Sequence, residues 1–151
     1  MAETTALDSG MPAASKVRCA IYAVIAIAAL VATWTQNAAY FDRPASFLTR
    51  FLDDSKVTPA SRSLTADILL FSLAAVMLMV VEARKHGIKF VWLYIVGAAA
   101  IAVSVTFPLF LIAREFRIAK AASPRLGATD TISLALFAIA VAALTIWVDA
   151  G

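Results

Sequence analysis

FVWLYIVGAAAIAVSVTFPLFLIA, residues 90–113, runs through 24 positions without a charged side chain. A surface helix would bring polar residues round every three or four positions, and a membrane strand would alternate them. This stretch does neither. As one helix it would extend about 36 Å, enough to cross a hydrocarbon layer of about 30 Å.

Three more apolar runs likewise lack those periods, though two carry charges near their ends (Arg18, Asp67 and Glu82): residues 17–35 (VRCAIYAVIAIAALVATWT), 65–83 (TADILLFSLAAVMLMVVEA) and 131–148 (TISLALFAIAVAALTIWV). The fold expected is all-α, an integral membrane bundle of four transmembrane helices spanning 17–35, 65–83, 90–113 and 131–148. It fills one domain, 16–149, preceded by a small, polar N-terminal tail, 1–15, expected to be disordered. The composition agrees, since 62% hydrophobic residues, 15% charged residues and a mean hydropathy of +0.87 make lipid the natural solvent. Aromatic residues fall where interfacial belts belong: Trp34 and Tyr40 after the first run, Phe90, Trp92 and Tyr94 opening the third, Trp147 closing the fourth. Between the first two runs, Phe47, Leu48, Phe51 and Leu52 set against Thr49, Arg50, Asp53 and Asp54 predict a short amphipathic helix in the interface, the alternative being a collapsed loop.

A formal charge of +3 would point to nucleic acid in a soluble chain, but here the basic residues flank the apolar runs, where anionic headgroups attract them. No nucleic-acid partner is expected. Cys19 is the only cysteine and His86 the only histidine, so there is no intramolecular disulfide, no ligand set for a metal and no histidine base for a hydrolytic triad. Five unclustered glycines form no phosphate loop. Neither a cofactor nor a metal is expected. Orientation stays open, because with four full spans eight basic residues fall on one side and five on the other, while Lys16 and Arg18 abut the first span on the side with fewer.

Ionisable residues near hydrocarbon are the natural places to look for function, since an unpaired charge there costs at least ~2.5 kcal/mol. Asp67, Glu82 and Arg114 qualify. If the second and third helices cross fully and antiparallel about Gly87, Asp67 comes level with Pro108 and Arg114 lies on the order of 9 Å further out, each side chain leaning toward the other. An Asp67–Arg114 ion pair is the expectation, with a functional polar site or no contact as alternatives. Asp67 also suits the positive end of its own helix dipole. Glu82, with Lys85 at i+3 and His86 at i+4, is expected to form a helix-end salt bridge to Lys85. Pro108 removes a bond to the Ser104 carbonyl and is expected to kink the third helix. Small residues four apart, Ala28 and Ala32, Ala98 and Ala102, Ala138 and Ala142, permit close helix approach.

Three pieces of the chain, in order, resemble the DUF2834 family of bacterial membrane proteins: TADILL with Asp67, VVEARKHGIKFVWLY with Glu82, Arg84 and Trp92, and FPLFLIARE with Pro108, Arg114 and Glu115. The resemblance implies a multi-pass helical bundle in the bacterial cytoplasmic (inner) membrane and implies no activity. It does not extend to the fourth helix. Three functions remain open. The first is a non-enzymatic accessory or interaction subunit, contacting the lipid bilayer and another membrane protein or a second copy. The others are a small oligomeric transporter or permeation component, and a membrane-embedded enzyme acting on a lipid or isoprenoid with Asp67 or Glu82 as acid or base.

Overall fold

The computed structural model describes residues 11–118 and 127–150, and these are helical with short connections. Six α-helices follow in order: α1 (Ala13–Asn37), α2 (Phe47–Asp54), α3 (Pro59–His86), α4 (Val91–Ala100), α5 (Val103–Ile118) and α6 (Ala128–Ala150), with single 3₁₀ turns at Ala38–Tyr40 and Pro44–Ser46. Three helices, carried by α1, α3 and α6, are long and apolar enough to cross a membrane, and α4 is a shorter apolar helix. Most of the expected N-terminal tail, residues 1–10, lies outside the described residues; Ala13 to Ser15 already belong to α1, whose first turn closes on the Pro12 carbonyl.

Local signals explain the ends of α3. Thr58 and Ser61 form a reciprocal capping box, and Pro59 occupies the first turn, where its missing N–H costs nothing. At the other end Gly87 takes a left-handed φ of 64°, and the N–H groups of Gly87 and Ile88 both bond the Ala83 carbonyl. The 28 residues between reach about 42 Å, longer than the hydrocarbon layer.

The stretch quoted at the outset is not one helix. It is two helices, α4 and α5, folded back on each other at Ile101 and Ala102. The rings of Tyr94 and Phe110 meet edge to face at 5.7 Å, whereas in one straight helix these positions would stand about 24 Å apart. Nearer the turn Gly97 faces Thr106 so closely that a Cβ at Gly97 would lie 3.0 Å from Thr106 Cγ2. The Ala102 carbonyl starts α5, accepting bonds from the N–H groups of Val105 and Thr106 and from the Thr106 hydroxyl. Pro108 is buried within α5, and the interruption of the expected third span falls at Ile101 and Ala102, ahead of the proline.

Because of this turn, α5 runs parallel to α3. Three contacts ascend both helices together: Phe71 with Phe107 at 6.4 Å, Met79 with Phe110 in the buried core, and Glu82 with Arg114. Met79 and Phe110 are fully buried, beside Ala83, Ile88 and Val91. Helix α5 is the centre of the bundle, packed on α1, α3 and α4. Its end meets the start of α1, so one end of the molecule, the Arg18 end, gathers the start of α1, the end of α3, the start of α4 and the end of α5.

At the opposite, Trp34 end, the predicted short helix is present as α2. Its Phe47 and Phe51 stack at 6.2 Å, Tyr40 packs edge-on against both, and Phe41 bridges Phe47 to Trp34. Tyr40 donates to Asp54 at 2.8 Å and lies under the Arg50 guanidinium, itself paired with Asp42. Thr65 ties α3 to this layer by donating to the Ser55 carbonyl. The last turn of α6 is joined to α1 by Gln36 and Asp149 at 3.4 Å; every residue of α6 from Ala128 to Ala150 is exposed.

Candidate functional site at the Arg18 end

Near the Arg18 end, two arginine–carboxylate pairs knit the three helices together. Arg18 of α1 grips Glu115 of α5 with both prongs of its guanidinium, Nε to Oε1 at 3.1 Å and a terminal nitrogen to Oε2 at 2.9 Å; the same nitrogen reaches Ser15 Oγ at 3.0 Å. Glu115 is 4% exposed and Ser15 fully buried. One residue earlier on α5, Arg114 donates through Nε to Oε2 of Glu82 on α3. His86, one turn beyond Glu82, brings its Nε2 to 3.3 Å from that oxygen without the alignment of a hydrogen bond.

The arrangement follows from helix periodicity. Arg114 and Glu115 are adjacent, hence about 100° apart around α5, so one faces α3 and the other α1. Opposite charges cancel within each pair, and the forked contact fixes direction as well as distance. Taking either carboxylate from water without its arginine would be costly, so pairing lets both sit at the edge of the apolar core. Both carboxylates are already engaged by arginines. The chemistry of the cluster is therefore cross-linking: it holds α1, α5 and α3 in one register.

The sequence-level candidates are distributed differently from expectation. Arg114 is joined to Glu82 and not to Asp67; since α5 returns toward the end of α3, Arg114 arrives about fifteen residues of α3, some 22 Å, from Asp67. Asp67 is exposed on α3 and has no ion pair among the described residues; as the ninth residue of a helix that begins at Pro59, it also lies beyond the first turn, where the helix dipole would have favoured it. Glu82 is engaged by Arg114, with His86 Nε2 nearby, and Lys85 is not within ion-pair distance of it. The sequence does not announce Arg18 and Glu115 as a pair. Their sequence signal is position, Arg18 at the start of one apolar run and Glu115, which the family resemblance also includes, just past the end of another beside Arg114. Of the small residues, Ala26, Ala75 and Ala83 are buried, while Ala28 is exposed.

Among the described residues the bundle is helical with no strand, three of its helices are long and apolar enough to cross a membrane, and Glu82 and Glu115 are each paired with an arginine, features that suit a small membrane protein. The family described as "Protein of unknown function DUF2834" matches residues 21–116, and the chain belongs to it. The match takes in most of α1, all of α2 to α4 and α5 through Phe116, and leaves α6 outside. Neither the curated proteins nor the solved structures contain a match to the chain.

Proposed function

We propose that this chain is a non-enzymatic accessory or interaction subunit of a bacterial cytoplasmic membrane. In this reading α1, α3 and α6 cross the bilayer, while the α4–α5 hairpin enters from the Arg18 end and returns to it. Ten residues of α4 reach about 15 Å, half the hydrocarbon thickness, which supports a re-entrant placement. The Arg18 end is cytoplasmic. Among the described residues it carries Lys16, Arg18, Arg84, Lys85, Lys89, Arg114 and Arg117, against Arg43, Arg50, Lys56 and Arg62 at the Trp34 end, and the more basic side stays inside.

The observation that carries the functional reading is the bareness of α6. It is a 23-residue apolar helix exposed on every face, with Phe137 at 69% and Trp147 at 75%, and it stands outside the family match. The charged groups of the core, by contrast, are engaged in holding α1, α3 and α5 to one another. What α6 offers is a surface for another membrane helix, with Ala138 and Ala142 small enough for close approach. Purification from native membranes in mild detergent, followed by mass spectrometry, should recover a stoichiometric membrane partner that is lost when Ala138 and Ala142 are replaced by Leu. Recovery of the chain as a stable monomer on its own would defeat the reading.

A further inference from the structure

The turn from α3 into α4 forms an open groove of about 560 Å³ whose lining includes Arg84, Gly87, Lys89, Phe90, Trp92 and Leu93. We propose that this groove binds the phosphate headgroup of an anionic phospholipid, with Arg84 and Lys89 on the phosphate and Trp92 and Leu93 along the start of an acyl chain.

Charge complementarity comes first. Arg18 and Arg114 at the same end are each neutralised by a carboxylate, whereas Lys16, Arg84, Lys85, Lys89 and Arg117 have none within ion-pair distance among the described residues; of these five, Arg84 and Lys89 line the groove, and no acidic side chain lines it. Two uncompensated cations on an otherwise apolar wall match a ligand with one anionic group and a hydrocarbon tail.

The backbone at the rim is specialised as well. Phe90 has φ 60°, the left-handed region that a bulky side chain rarely occupies. That conformation caps the start of α4, with the Phe90 carbonyl accepting from Leu93 N–H at 2.9 Å. It also divides the side chains: Val91 turns into the core at 5% exposure, while Phe90 and Trp92 stay 78% and 60% exposed. Large aromatic rings beside cations, one residue from a buried core position, form the amphipathic wall that suits the headgroup level of a bilayer.

The test uses the full chain, delipidated in neutral detergent, with native mass spectrometry reading retention of phosphatidylglycerol against phosphatidylcholine. The wild type should prefer phosphatidylglycerol, and Arg84→Gln with Lys89→Gln should lower that preference on the order of tenfold. Lys16→Gln with Arg117→Gln, which removes the same charge from the same end outside the groove, should change it less than about twofold. Arg84→Lys with Lys89→Arg should keep it. Should the double glutamine variant fail to fold, Lys89→Gln alone, in the exposed turn, should lose about fivefold. Equal losses in the groove and control variants, or none in the groove variants, would overturn the proposal. Soluble glycerophosphate should not displace the lipid at millimolar concentration; displacement at that level would assign the groove to a free phosphate compound and overturn the lipid assignment.

Discussion

Arg114 of α5 donates its Nε hydrogen to the carboxylate of Glu82 on α3, although thirty-two positions separate the two in sequence and a full third span would have carried Arg114 to the other end of the molecule. The contact exists because the chain reverses at Ile101 and Ala102. Glu82 is 12% exposed, so its arginine is the main compensation for its charge. Arg114→Leu should therefore lower stability by about 3 kcal/mol, the scale for stranding a largely buried charge, whereas Asp67→Asn should change it by less than about 0.5 kcal/mol. Thermal unfolding in detergent checks both. Equal effects at the two positions would restore the Asp67 pairing as a contender.

The second ion pair should behave as a coupled unit. Arg18→Gln and Glu115→Gln, measured singly and together, should show a coupling of about 1–3 kcal/mol, since the forked contact is lost once and not twice. Additive losses would mean that the two side chains do not stabilise each other.

Gly97 gives a prediction with an unusual sign. In an ordinary helix interior, Gly→Ala gains about 1 kcal/mol. Here the new methyl would press on Thr106, which is 4% exposed and held by its hydroxyl bond to the Ala102 carbonyl, so overpacking of about 1–3 kcal/mol should reverse the gain. Removing the opposing methyl with Thr106→Ser should make Gly97→Ala stabilising again. A gain from Gly97→Ala in the wild-type background would show that α4 and α5 do not approach so closely.

Truncations should divide α5 from α6. Phe110→Ala opens a hole at a fully buried position and should cost about 3–5 kcal/mol, while Leu136→Ala on the exposed face of α6 should cost less than about 0.5 kcal/mol in the isolated chain. A large loss from Leu136→Ala in detergent would indicate that α6 packs within the chain.

Much of this architecture is legible in the sequence. Apolar run length identifies α1, α3 and α6; Gly87 marks the end of α3, whose start at Pro59 lies six residues ahead of the expected 65; and the spacing of Phe47, Leu48, Phe51 and Leu52 foretells α2. The reversal at Ile101 and Ala102 is not, because GAAAIAV carries no proline at the turn and no polar residue, and a 24-residue apolar run is long enough to cross. Its causes are tertiary: the fit of Gly97 to Thr106, and the Tyr94–Phe110 contact. The site inherits that difficulty. Glu82 and Arg114 are both recognisable as membrane-proximal charges, but their partners depend on whether the chain crosses or returns. The one strong punctuation signal, Pro108, sits inside α5 and draws attention away from the turn.

The placement of the hairpin is tested most directly by which side of the membrane each of its ends faces. In a Cys19→Ser background, single cysteines at Lys89 and Arg117, both exposed, and at Arg43 as a reference for the Trp34 end, would be exposed to a membrane-impermeant maleimide in sealed vesicles of either orientation. The re-entrant account predicts that Lys89→Cys and Arg117→Cys label from the same side and Arg43→Cys from the other. Labelling of Lys89→Cys and Arg117→Cys from opposite sides would mean that residues 90–113 cross the bilayer, and would contradict it.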